Sequence, residues 1–307
     1  MKGDFYYPGW VRKAITFTID DGNVRLDKKF MDYTKPAGFK GTFNLITPLH
    51  ADMTAEDYRR FYAGYEIANH CRYHAYPLWD DKELTFAHEK FPQEGADKSL
   101  VYDAEEEGLY RVFTYAWTYL ATADKYMECV DRCQKELEDV FGKGKIKGYI
   151  WPCGEQKNAE VFKRLCNYGF GSIRKTGCVE DSTGFALPAD RMRWSYTCNY
   201  TDMADVGAKY DAYPDDGNLK FLCFGVHSHD FENNGCWTVL EDFCAKYGNR
   251  PETFWYATVG EIFDYEDAVK VVEFTDDGRI VNHSPITVYL AVNGKRITLW
   301  GNSEVKA

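Results

Sequence analysis

Short runs of β-branched and aromatic residues alternate along the chain with longer stretches of helical period. Residues 14–19, 41–46, 66–69, 146–151, 171–174 and 220–226 have the length and composition of strands. Residues 123–141 form the clearest helical pattern: Tyr126, Met127, Val130, Cys133, Leu137, Val140 and Phe141 share one stripe, charges lie opposite, and Gly142 ends it. Residues 158–168 make another such pattern, and residues 54–63 a third, with a Thr cap and an acidic first turn. Alternation of this kind predicts an α/β fold in which helices cross over between parallel strands.

The alternation breaks twice. Residues 76–110 are acidic and poorly periodic, which predicts an insertion forming a wall or lid of a cleft. From about residue 268 the pattern changes to alternating β-runs joined by Asp277-Gly278 and Asn293-Gly294 turns, which predicts a small antiparallel appendage. The expected organisation is a main domain over 1–267 with its insertion, then an appendage over 268–307.

Composition narrows the function. A chain of 307 residues, 45% hydrophobic, can bury a large core. Its net charge of -11 sets long-range repulsion against nucleic acids and anionic membranes, so neither is an expected partner. No run of apolar residues reaches the roughly 18 needed to cross a bilayer. The opening Met1-Lys2-Gly3-Asp4 has no apolar signal region, so the expectation is a cytoplasmic protein, or a secreted one whose leader is not in this chain. The aromatic fraction of 17% suits either stacking on sugars or an aromatic-rich core. The ten cysteines have irregular spacings and read as free thiols; Cys129 and Cys133, four apart, have no second pair with which to hold zinc.

The chemistry concentrates where two β-runs end. One ends in Asp20-Asp21-Gly22; the other leads to His70, with His74 four residues on. Together they offer two imidazoles and a carboxylate for a divalent metal, with a spare carboxylate beside it, an open site of the kind that metal-assisted hydrolysis needs. Asp-Asp-Gly also occurs at Asp215 and Asp276, where a surface turn is the natural reading. His70 and His74 do not make a zincin helix, because no Glu follows the first His and a strand precedes it. His50 and His88 sit in polar loops and His283 in the appendage, and no role is assigned to them.

Residues 16–22, 64–74, 149–154 and 224–227 resemble, in order and approximate spacing, the motifs of the polysaccharide deacetylase family, carbohydrate esterase family four of the NodB-homology type. The resemblance covers roughly residues 13–264; the first two motifs are highly specific and the later two weaker. It implies a deformed (β/α) barrel of about seven strands that removes acetyl groups from N- or O-acetylated sugars by hydrolysis. Carried over by position, Asp21, His70 and His74 would hold the metal, with zinc the first choice. Asp20 would be the general base, His227 the general acid, and the backbone N–H of Cys153 an oxyanion donor. His229 competes with His227 for the acid role, since strand alternation would put both on one side; it is kept as a substrate contact. Trp151, Trp194 and Trp255 are candidates to stack on a sugar ring, with packing the favoured role for any one of them.

Three positions depart from the family pattern. Ile150 stands where many members have the arginine that orients the base, and Arg191 or Arg193 could replace it. Cys71 takes the place of a Ser or Thr, and Cys153 that of an aromatic wall. These changes point to a divergent substrate and keep two rivals open: a hydrolase of small cyclic amides, like the allantoinases and cyclic imidases, and a non-catalytic carbohydrate binder. The sequence does not fix an oligomeric state.

Overall fold

The structure is a computed structural model that describes residues 3–77, 104–106, 108–111, 119–153, 158–179 and 184–306. The first half runs β1 (Asp4–Tyr6), β2 (Lys13–Asp21), α1 (Val24–Thr34), β3 (Gly41–Thr47), α2 (Ala55–Phe61) and β4 (Glu66–Arg72). Four short strands follow, β5 (Tyr76–Pro77), β6 (Ala104–Glu106), β7 (Leu109–Arg111) and β8 (Tyr119–Ala121), then α3 (Ala123–Phe141), β9 (Gly148–Ile150) and α4 (Ala159–Tyr168). Next come β10 (Ser172–Cys178), β11 (Trp194–Tyr196), α5 (Met203–Ala212), β12 (Lys220–His227), α6 (Ser228–Asn233), α7 (Trp237–Tyr247), β13 (Phe254–Tyr256) and α8 (Val259–Lys270). The chain ends in β14 (Val272–Phe274), β15 (Arg279–Asn282), β16 (Val288–Val292), β17 (Lys295–Leu299) and β18 (Glu304–Lys306).

The main sheet is parallel, in the order β11-β10-β9-β4-β3-β2-β12, with β13 alongside the start of β2. This is the deformed (β/α) barrel that the alternating pattern and the motifs implied, and all six runs read as strands lie in it. Strand β2 is buried from Ala14 to Asp20, as expected of a parallel strand covered on both faces. Phe17 on β2 meets Phe30 of α1 edge-on at 5.3 Å and stacks on Phe224 of β12 at 5.4 Å. Much of the high aromatic content is thus core. All ten cysteines are free thiols, as expected.

Strands β11 and β13 were not anticipated, because three residues are too few to show a period. In the predicted insertion, residues 78–103 lie outside the described residues; the flanking strands form a sheet in the order β5-β8-β7-β6. The appendage is two three-stranded sheets, β14-β15-β18 and β1-β16-β17, around Ile280, Leu290, Val292 and Leu299. Its second sheet borrows β1 from the other end of the chain, with Phe5 opposite Leu290. A division between 267 and 268 therefore cuts across hydrogen-bonded strands.

Gly225 in β12 lies directly under the Tyr196 ring, where an added Cβ would approach Tyr196 Cδ1 to 2.1 Å. Gly to Ala ordinarily favours a strand, so the sign is diagnostic: Gly225→Ala should cost about 1–3 kcal/mol through overpacking, read from urea unfolding. A midpoint equal to or above the parent's would contradict this packing.

Candidate active site

The parallel register brings the ends of the sequence motifs together. His227 at the end of β12 pairs with Asp20 on β2, and Asn44 on β3 pairs with Asp20 from the other side. Beyond the strand ends the chain reverses sharply: Asp21, Cys71, Tyr73, His74 and Cys153 all have positive φ, between 50° and 79°. Non-glycine residues rarely adopt this conformation, and such strain gathers where side chains must be aimed.

Asp21, His70 and His74 converge. Asp21 Oδ1 lies 3.4 Å from His70 Nε2 and 3.7 Å from His74 Nε2, and the two imidazoles meet edge-on at 5.0 Å. His70 Nδ1 is 3.0 Å from the carbonyl oxygen of Ile150, to which it donates, so the lone pair is on the Nε2 that faces Asp21. Burial and the neighbouring His70 push His74 down to about 3, so it is neutral at physiological pH. Burial works against ionising Asp21, but the imidazoles of His70, His227 and His74 outweigh it and hold the carboxyl well below the usual range. Asp21 Oδ1 is buried with no hydrogen-bond partner. An orphaned carboxylate oxygen facing the Nε2 atoms of two imidazoles is a donor set that fits a divalent cation.

Asp20 is buried beside this set. Its Oδ1 accepts from Asn44 Nδ2 at 2.6 Å and from Arg174 Nη2, whose side chain is wholly buried. Burial raises the Asp20 carboxyl, but Arg174, His70 and His227 together lower it below its ordinary value. Arg174 corrects the expectation that Arg191 or Arg193 replaces the missing arginine. Arg191 pairs with Glu266 and Asp267 on or beside the surface of α8, and Arg193 lies over the Phe162 ring at 4.1 Å. In the sheet register Arg174 is the direct neighbour of Ile150, so the cation has moved one strand over. An arginine closing the buried run 171–174 was the visible signal.

His227 faces Asp20 from the opposite side, with Nε2 3.9 Å from Asp20 Oδ2, while Asp230 Oδ2 accepts from its Nδ1 at 2.9 Å and its backbone N–H at 3.1 Å. Burial would lower this imidazole, but Asp230, Asp20 and Asp21 raise it to about 9, so it is protonated at neutral pH. His229 stacks on His227 at 4.8 Å and brings Nδ1 to 3.8 Å from Asp21 Oδ2. Their nearness was expected, but a helical turn causes it: α6 begins at Ser228 and strand alternation stops.

A cleft of about 990 Å³ opens beside Asp21, lined among others by Arg25, His50, Met53, His229 and Asn233. His50, to which no role was assigned, is therefore on the cleft wall, while His88 lies outside the described residues. Cys153 is exposed, with Sγ 3.7 Å from His74 Nδ1. The two tryptophans do not form sugar platforms. Trp151 is 1% exposed and stacks on Tyr126, and Trp194 is 3% exposed against Phe263 and Phe221. Trp255 packs on Tyr7 and Tyr265.

Residues 11–172 match the polysaccharide deacetylase family. The chain belongs to that family. No curated relative matches it. Among solved structures, a Mycobacterium smegmatis protein assigned to the polysaccharide deacetylases has 17% identity and a TM-score of 0.50, covering 88% of this chain and 95% of its own. A family 4 acetyl xylan esterase from Clostridium thermocellum, solved with a cobalt ion, has 14% identity and a TM-score of 0.44, covering 83% and 92%. A CE4 esterase from Streptococcus mutans has 16% identity and a TM-score of 0.45, covering 83% and 92%. The motif residues of this polysaccharide deacetylase family member thus stand at the ends of the barrel's strands, with the arginine that pairs with Asp20 on β10, beside Ile150 of β9.

Two outcomes follow. Arg174→Met should cost about 3–5 kcal/mol, the range for leaving a buried charge unpaired, and adding Asp20→Asn should recover part of it; additive losses in urea unfolding would contradict the pairing. His227 is raised from its ordinary 6.5 to about 9 on folding. Its contribution is therefore fully present below the unfolded value and lost as pH rises through the folded one. In metal-free protein the stability gap between the parent and His227→Gln should be widest near pH 6 and shrink by pH 10. A pH-independent gap would refute the assignment.

Proposed function

We propose that this chain is a metal-dependent hydrolase that removes acetyl groups from N- or O-acetylated sugars. The reading is carried by one arrangement: an ionised, buried Asp20 and a protonated His227 stand 3.9 Å apart beside the Asp21–His70–His74 donor set. A divalent ion held by those three residues, zinc first among the ions that suit them, would polarise the acetyl carbonyl and acidify water.

The chain's own groups divide the proton transfers. Asp20 Oδ1 is occupied by Arg174 and Asn44, which leaves Oδ2 to take a proton from the attacking water. The water oxygen bonds to the acyl carbon, the C–N or C–O bond breaks, and His227 gives its Nε2 proton to the departing amine or alkoxide. Asp230 holds Nδ1 of that imidazole, which keeps Nε2 toward Asp20. The N–H of Cys153 would donate to the oxyanion, and His229 on the cleft wall would contact the substrate.

Acetate release from acetylated oligosaccharides, with metal analysis of the same preparation, tests this. Asp20→Asn should retain bound metal and lose at least about 10²-fold in kcat, the usual scale for a general base. Chelation should abolish turnover, and added zinc or cobalt restore it. Full activity in Asp20→Asn would sink the base assignment. Turnover of cyclic amides in place of acetate release would assign the barrel to the smaller substrates, and glycan binding without turnover under any divalent metal would make it a binding protein.

A further inference from the structure

Asp27 lies inside α1, wholly buried on a face shared with Leu26, Phe30 and Met31. Among the described residues no cation pairs with it. Its partners are two hydroxyls: Ser228 Oγ donates to Oδ1 at 2.7 Å and Tyr62 OH to Oδ2 at 2.8 Å. Burial pushes the carboxyl up to about 7 against the pull of both donors. A carboxyl in that setting is costly, and an apolar residue would suit a core-facing helix position better. Its presence therefore calls for a reason, and the partners supply one.

Ser228 is the first residue of α6, immediately after His227, and is itself fully buried. Helix α1 starts three residues after Asp21. The bond from Ser228 to Asp27 thus ties the helix that descends from the two aspartates to the helix that follows directly on His227 and presents His229 and Asp230. The grip of Asp230 on the His227 imidazole depends on where α6 begins, and no other side-chain bond is made by Ser228 among the described residues.

We propose that Asp27 is a positioning residue, which through Ser228 fixes the start of α6 and so the grip of Asp230 on the His227 imidazole. The proposal rests on the deacetylase reading for its kinetic consequence, but its geometric consequence can be measured without turnover. Misplacement of a reacting group by about 1 Å can cost on the order of 10²-fold in rate. The same core also holds the Tyr62 bond, which takes the other oxygen of Asp27, makes no contact of its own with Ser228's hydroxyl, and serves as the control for a merely structural effect.

The test compares Ser228→Ala, Asp27→Ala, Asp27→Asn and Tyr62→Phe in the full chain. Each variant is checked for folding by near-ultraviolet circular dichroism. Two readouts follow: steady-state acetate release, and the low-field proton resonance of His227 Nδ1–H in its bond to Asp230. Ser228→Ala and Asp27→Ala should lower kcat by about 10- to 100-fold with KM within twofold, and should shift or erase the resonance. Asp27→Asn, whose amide can accept from one hydroxyl and donate to the other, should rescue most of both losses, and Tyr62→Phe should leave both near the parent. If the parent releases no acetate, the deacetylase reading fails while the resonance still decides the positioning role. Ser228→Ala with an unmoved resonance and parental kcat would overturn the proposal. So would equal losses in Ser228→Ala and Tyr62→Phe that track only the folded fraction.

Discussion

A carboxylate can stay ionised out of water only where something compensates it, and the buried pair of Arg174 with Asp20 meets that condition. The pair joins β10 to β2 across the inside of the barrel end. With Asn44 it takes up one oxygen of Asp20 and leaves the other toward His227. Every further feature of the site is arranged around this fixed negative charge. The Tyr196 ring lies over the guanidinium at 5.3 Å, and Gly225 makes room for that ring. The unusual glycine in β12, the aromatic on β11 and the arginine on β10 thus form one packed support behind a single carboxylate.

The same logic sets two histidines of one site in opposite states. His74 is buried next to another imidazole and stays neutral, which suits a ligand. His227 is only half-buried, and Asp230, Asp20 and Asp21 beside it keep its proton on, which suits an acid. Neighbours whose environments drive them apart in proton affinity are how a fold runs acid and base chemistry together. Which state each histidine takes follows from which strand end it occupies, and the parallel register fixes that.

The strands of the main sheet were legible because buried parallel strands leave continuous apolar runs, and α3 was legible because its stripe repeats for nineteen residues. Asp20, Asp21, His70 and His74 were legible as paired motifs at strand ends. What escaped depends on pairing between distant segments. Three-residue strands such as β1, β11 and β13 carry no period, and β1 is recognisable only by its partner β16. Arg174 could be seen as a polar end to a buried run, but its role required knowing that β10 lies beside β9. Residue type left Trp151 and Trp194 open between stacking on a sugar and packing, and burial settles them as packing.

The central claim is that Asp21, His70 and His74 form one cation site on a carboxylate-lined barrel end. Titration of metal-free protein with cobalt(II), followed by visible absorption, tests it most directly. One equivalent should bind with a ligand-field band characteristic of imidazole and carboxylate donors, and His70→Ala and His74→Ala, each shown to be folded, should lose it. No stoichiometric binding by the parent, or an unchanged band in both variants, would contradict the account.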